Sequence, residues 1–247
     1  MICFFPRGAL FAAMTAVAGV VSAAPATSIS LMDATEQASL IESRHSSGEG
    51  AAVSSMSTRY YASDEMHFSW DGQQVLTLCE GAVYLRFPEG KPMMLTAEQR
   101  QMFAYQAMMS SLGAIAAVGA ASGESLEVAA DGSETRSAGE SPWAYGVERY
   151  DVITQRLPDG ALRVRTRKTE TVNTTPPAGP DDMFSTEDDQ AARLSELAPV
   201  GSWTEVVVHE GPRLPHVDPA MSLKGWISMG DDQAATVGEA RKLHECK

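Results

Sequence analysis

The chain has 247 residues, of which 44% are hydrophobic and 21% charged, and a formal net charge of −13 at pH 7. That apolar content is enough to build a core and excludes a fully disordered chain. The acidic balance repels phosphate backbones and anionic lipid surfaces, so no nucleic-acid partner is expected.

Met1 to Ala26 carries a single charge, Arg7, an apolar run from Ala9 to Val21 and small residues after it. This is the layout of a secretory signal peptide, with cleavage after Ala23 or Ala26. A retained membrane anchor is the rival reading, opposed by the shortness of the run and its lack of charged flanks. Cleavage would leave about 220 residues, one large domain or two small ones, in the periplasm or outside the cell. Cys3 falls in the leader, which leaves Cys79 and Cys246. In an oxidising compartment they form either a disulfide tying the C-terminus to the sheet, or a buried Cys79 and a free Cys246.

Leu31, Ala34, Ala38 and Ile41 fall at spacings of three and four, which predicts a helix from Leu31 to Arg44. Ser46 to Ser57 reads as a loop, with His45 at its boundary and solvated. From Arg59 to Trp70 the residues alternate, with Tyr60, Met66, Phe68 and Trp70 on one face, so this is a strand with one buried side. Asp71-Gly72 predicts a hairpin turn. The next strand, Gln74 to Glu80, puts Leu76 and Leu78 on one face and Val75, Thr77 and Cys79 on the other. After a bend at Gly81, Val83, Leu85 and Phe87 share a face. Pro88-Glu89-Gly90 then turns the chain into Lys91 to Leu95.

Thr96-Ala97-Glu98-Gln99 matches a capping box, so a helix should start at Ala97 and run to Ala121. No charge interrupts it between Arg100 and Glu124. Met102, Tyr105, Met109, Leu112 and Ala116 form one apolar stripe, widened by Phe103, Met108 and Ile115, which predicts burial on more than one side. Its glutamines, serines and glycines argue against the competing transmembrane reading.

Beyond the helix, Leu126 to Ala130 and Ser133 to Ser137 flank Asp131-Gly132 as a hairpin. Ala138 to Pro142 reads as a loop and Trp143 to Leu157 as a long strand. Pro158-Asp159-Gly160 turns into a strand on which Arg163, Arg165 and Arg167 oppose Leu162, Val164 and Thr166. This basic ladder is expected to be a solvated face with acidic cross-strand partners rather than an anion site. Asn173 to Asp182 is a Pro- and Gly-rich linker whose Asn173-Thr174-Thr175 is formally a glycosylation acceptor. Ser185 can cap a helix from Thr186 to Leu197. Trp203 to His209 is β-rich, Gly211 to Pro219 is a loop, Met221 to Met229 reads as a last strand, and the tail from Asp231 is helix or strand.

No Gly-x-Ser-x-Gly elbow and no Gly-x-x-x-x-Gly-Lys phosphate loop occurs, so neither nucleophilic nor phosphate chemistry is signalled and no cofactor is expected. His209, Glu210, His216 and Asp218 offer a ligand set that zinc accepts, at a spacing that matches no recognised motif. The thirteen methionines are soft donors for Cu(I) but also flexible fillers of apolar sites. Without interleaved histidines the second role is expected.

Met66-His67-Phe68-Ser69-Trp70-Asp71-Gly72, then Val83-Tyr84-Leu85-Arg86-Phe87-Pro88, and Met94-Leu95-Thr96 entering a helix form a pattern that resembles the LolA-like periplasmic lipoprotein-carrier superfamily, nearest its secreted relatives without an assigned role. Gly132 to Ser137 followed by Gly146-Val147-Glu148-Arg149-Tyr150-Asp151-Val152 is similar to the second half of that pattern. The resemblance implies an α+β fold: a curved antiparallel sheet, an open half-barrel, with helices covering its concave face and an apolar ligand held there. The expected division is a signal peptide over 1–23, a leading helix and flexible lead-in over 24–57, the half-barrel over 58–230 and a tail over 231–247. The expected function is non-enzymatic binding of a lipid, acyl chain or other hydrophobic small molecule. Tyr60, Met66, Phe68, Trp70, Leu76, Leu78, Val83, Leu85 and Phe87 from the strands and Met102, Phe103, Met108 and Met109 from the helix are the expected cavity or core residues. The alternatives are a metal-handling protein or hydrolase built on the His209 to His216 region, and a scaffold partnering other envelope proteins.

Overall fold

The computed structural model describes residues 25–88, 96–123, 125–143, 146–173, 199–230 and 233–246. The expected signal peptide, the run from Lys91 to Leu95 and the expected helix from Thr186 to Leu197 lie outside the described residues.

Strand β1 (Ala26–Ile29) leads into helix α1 (Leu31–Glu36), whose N-cap Ser30 accepts the Asp33 N–H. The predicted helix to Arg44 stops there, because residues from Ala38 onward form strand β2 (Ala38–Ser46). The helical spacing of Ala38 and Ile41 is overridden by backbone pairing on both sides of β2. The expected loop before Ser57 is shorter for the same reason: strand β3 (Val53–Tyr60) already pairs with β2 from Val53. Strands β4 (Met66–Trp70) and β5 (Gln73–Thr77) form the predicted hairpin around Asp71-Gly72, with Gly72 at φ +81°. A 3-10 turn, Cys79–Gly81, precedes β6 (Val83–Arg86).

Helix α2 (Ala97–Ser122) starts where the capping box places it, and both reciprocal bonds between Thr96 and Gln99 are present. After it come β7 (Leu126–Ala129), β8 (Thr135–Trp143), β9 (Gly146–Arg156) and β10 (Leu162–Asn173). Asp131-Gly132 is a turn, but it does not join a hairpin: β7 pairs with β1, while β8 pairs with β9 and absorbs the expected loop at 138–142. Strand β11 (Trp203–Glu210), the two-residue β12 (Ile227–Ser228) and helix α3 (Val237–Leu243) complete the described elements. The expected last strand at 221–229 is thus reduced to β12.

The fold is α+β and mostly antiparallel sheet. Ten strands run in the order β12-β6-β5-β4-β3-β2-β11-β10-β9-β8, and β1 and β7 form a separate pair. Two meanders, β2 to β6 and β8 to β11, meet along β2 and β11. The chain must therefore pass from near one edge of the sheet to the other between β6 and β8, and α2 makes that passage. Its 26 residues span about 39 Å, and the eight strand spacings from β6 to β8 amount to about 38 Å. Along its length α2 touches strands from β6 to β8.

Directly opposed residues of an antiparallel pair share a face, so register assigns every side. Tyr60, Met66, Phe68 and Trp70 share the α2 side, because Met66 opposes Tyr60 and Trp70 opposes Met56. Val75 opposes Phe68 and Leu85 opposes Val75, which places Val75, Val83, Leu85 and Phe87 on that side too. Leu76 and Leu78 face the other way, a correction to the expected cavity set. They pack with Tyr84 against Val217, Leu223, Val237 and Ala240 of the C-terminal segment. Val75 and Leu76 are both fully buried, so alternation along β5 carries no sign of which face is the outer one.

The C-terminal segment is fastened over that outer face. Cys79 and Cys246 are joined in a disulfide with Cα atoms 5.5 Å apart. The Glu65 side chain, fully buried, accepts the Val217 N–H at 2.8 Å and lies 3.3 Å from Arg241 Nε. His67 lies beneath Trp226 with ring centroids 5.9 Å apart, and burial holds its imidazole below the usual pKa.

On the α2 side, Ala114, Ile115 and Val118 pack against Ile41, Val152, Val164, Val206 and Val208. At the C-terminal end of the helix the backbone comes down onto β8. A Cβ added to Gly139 would sit 1.8 Å from the Ala121 carbonyl oxygen, so only glycine fits without movement. Gly139→Ala is expected to cost about 1–3 kcal/mol as an overpacking change. Equilibrium urea unfolding checks this, and a variant as stable as the parent would refute the close approach.

Candidate functional site

The space between α2 and the sheet is not filled everywhere. Where six strands from β4 to β9 pass under the middle of α2, a cavity of about 320 Å³ remains. The helix wall is Gly113, Ala114 and Ala117, spaced one and four residues apart on one face and none longer than a methyl. A helix so lined leaves a gap above part of the sheet opposite it. Met56, Trp70 and Tyr150 supply the larger apolar surfaces.

The floor is polar, and most of its groups have protein partners. The Trp70 indole N–H donates to Ser54 Oγ at 2.9 Å, and that hydroxyl donates to Asp71 at 2.7 Å. His45 of β2 opposes Thr204 of β11, with Nδ1 3.1 Å from Thr204 Oγ1. The Tyr150 hydroxyl donates to Glu148 at 2.7 Å, and Glu148 is ion-paired with the fully buried Lys168. Burial, and then the adjacent Glu148 carboxylate, hold the Tyr150 phenol well above its usual pKa. Among the described residues no Asp, Glu, Lys or Arg lines the cavity.

Larger depressions lie elsewhere. A trough of about 570 Å³ on the opposite face of the sheet is lined by Glu42, Arg44, Asp159, Arg163 and His209 together with serines of β3 and β4. Its charges of both signs favour water over an apolar guest. The half-open cavity under α2 has a mostly apolar lining with no charged side chain among the described residues, the kind of surface that small-molecule sites present.

No family model, curated protein or solved structure matches the chain.

Of the residues expected to line a cavity, Trp70 does so. Phe68 and Leu85 sit in a filled core cluster with Val83 and Phe87 packed on it, and Tyr60 packs at the edge of the larger cluster. Met66 lines a separate surface depression next to Cys79. Met102 and Met109 are corrected outright: they are 63% and 48% exposed, and with Tyr105 and Leu112 they form an apolar stripe on the side of α2 away from the sheet. A helix without charges beyond Arg100 gives hydropathy no means of choosing its buried face. The side chains of Phe103 and Met108 lie outside the described residues.

The ligand set imagined for zinc does not converge. His209 Nε2 lies 3.0 Å from Glu42, Glu210 pairs with Arg156 at 3.2 Å, and Asp218 accepts the Ala220 N–H. His216 Nδ1 is 2.9 Å from the Arg241 guanidinium. Among the described residues no three His, Cys, Asp or Glu side chains are grouped to hold a metal. In the basic ladder Arg163 pairs with Glu134 at 2.8 Å, whereas Arg165 stacks 4.6 Å over Trp203.

Sequence reasoning missed His45, Met56, Tyr150, Thr204 and the small helix residues. Gly113, Ala114 and Ala117 were visible as small residues on one helical face. The others needed the pairing of β2 with β11, which joins residues about 160 positions apart and leaves no local trace. His45, expected in a solvated loop boundary, is half-buried within β2.

Proposed function

We propose that this chain is a non-enzymatic binding protein for a small hydrophobic molecule, held between α2 and the sheet. In this reading the sheet is an open half-barrel of the LolA-like kind and α2 lies across its concave face. The leader sends the protein to the periplasm or outside the cell. The observation that carries the proposal is the uncharged cavity of about 320 Å³, walled on one side by Gly113, Ala114 and Ala117. It lies at the lower end of the usual range for ligand pockets, about 300–1,000 Å³.

The test is binding of an uncharged apolar fluorophore, N-phenyl-1-naphthylamine, with native mass spectrometry for co-purified lipid. Ala117→Trp fills the cavity from the helix side and is expected to weaken fluorophore binding at least about tenfold, or 1.4 kcal/mol. Unchanged binding in a folded Ala117→Trp protein would refute the site.

The scaffold reading has one observation in its favour, the stripe of Met102, Tyr105, Met109 and Leu112, each about half exposed or more. Contiguous apolar surface of this kind marks interaction sites. Ala117 is not part of that stripe, so the tryptophan variant separates the two readings.

A further inference from the structure

We infer that the ligand of this cavity is a single-chain amphiphile with an uncharged hydrogen-bonding head group, anchored by His45 and Ser202. The inference rests on the proposed binding function and names its ligand class.

Volume sets the chain number. At roughly 30 Å³ per methylene-sized group, about the share one water takes in the liquid, the cavity of about 320 Å³ encloses about ten such groups. That is room for about one medium-length chain.

Hydrogen-bond accounting sets the head group. Trp70, Ser54 and Tyr150 spend their polar atoms on protein partners, and the Thr166 hydroxyl points to the Thr204 carbonyl. His45 uses Nδ1 on Thr204. Its Nε2 has no protein partner among the described residues, and neither has the Ser202 hydroxyl, which also lines the cavity. A neutral imidazole with one nitrogen engaged offers its other nitrogen as a single donor or acceptor, and a hydroxyl offers both roles. An alcohol, ester or amide matches that pair.

Charge excludes the ionised alternatives. A carboxylate or phosphate buried here would meet no permanent counter-charge, since none of the described residues lining the cavity is Lys or Arg and Lys168 is already paired with Glu148. Burying an unpaired ion is far costlier than burying a satisfied hydroxyl.

The test displaces N-phenyl-1-naphthylamine from the full mature chain at pH 8 with decanol, monodecanoylglycerol, decanoate and didecanoylphosphatidylcholine. Decanol and monodecanoylglycerol are expected to displace it at concentrations at least tenfold below decanoate, and the two-chain lipid not to displace it. In His45→Leu the decanol preference over decanoate, each read against that variant's own fluorophore affinity, should fall at least fivefold. His45→Gln, which can still hydrogen-bond, should keep most of the preference, and Ser202→Ala reports on the second anchor independently if His45→Leu does not fold. Displacement by decanoate or by the two-chain lipid at decanol's concentration, or a preference unchanged in both His45→Leu and Ser202→Ala, overturns the inference and leaves the cavity reading standing. A parent protein that binds no fluorophore overturns both.

Discussion

Removing the Cys79–Cys246 disulfide, by reduction or by the paired Cys79→Ser and Cys246→Ser changes, is expected to lower the unfolding free energy by about 5 kcal/mol. The bridge spans 167 positions, so it denies the unfolded chain one of the largest loops available to it, and the loop-entropy relation gives that figure. Its native role is to hold the end of the chain where α3 covers Leu76, Leu78 and Tyr84. Without the covalent tie, that cover rests on the Glu65 contacts, the Tyr84–His244 contact, the pairing of β12 with β6 and packing. Urea unfolding with and without reductant reads the difference directly. Coincident curves would show that the bridge contributes nothing beyond the contacts around it.

The second large effect is expected at Lys168. Its side chain is wholly buried and paired with Glu148, itself only 14% exposed, on the same face as the cavity. Lys168→Met leaves that carboxylate largely desolvated without its cation, and breaking such a pair costs about 3–5 kcal/mol. Replacing both members, Lys168→Met with Glu148→Leu, removes the uncompensated charge and should recover most of the loss, because two desolvation penalties disappear with the attraction. The Tyr150 hydroxyl then loses its acceptor, so recovery falls short of complete by about 1–3 kcal/mol. A double variant no more stable than the single one would show that packing, not charge, decides the site.

The features legible in the residues are those made by neighbours in the chain. Thr96 and Gln99 announced the start of α2 because both reciprocal bonds lie within four residues. Asp71-Gly72 and Pro158-Asp159-Gly160 announced turns because glycine accepts without strain the φ of +81° and +87° found there. Period-two alternation placed Tyr60, Met66, Phe68 and Trp70 on one side, since that side is buried and the other is polar.

Where both sides are apolar, the pattern carried no direction. Leu76 and Val75 are buried on opposite faces of β5 by different partners, and the partner of Leu76 arrives from residues 217–240. Helix α2 was readable as a helix but not as an oriented one: Met102 and Met109 are as hydrophobic as Ile115 and Val118, and only the sheet beneath decides which pair is covered. Ala38 and Ile41 satisfied a helical spacing that β3 and β11 overruled by pairing with their backbone.

By itself the sequence determined the secondary-structure units around the central hairpin, the length and start of α2, an even pair of cysteines suited to a bridge, and an acidic chain with no recognisable catalytic motif. The tertiary structure decided the rest: which face of α2 is buried, that Cys79 meets Cys246, that His209 and His216 have different partners, and that a gap survives beneath Gly113, Ala114 and Ala117. The physical reason is range. Caps, turns and alternation are set by energies between residues a few positions apart, whereas faces, bridges and cavities depend on the register between β2 and β11, whose residues meet only when the two halves of the sheet are joined.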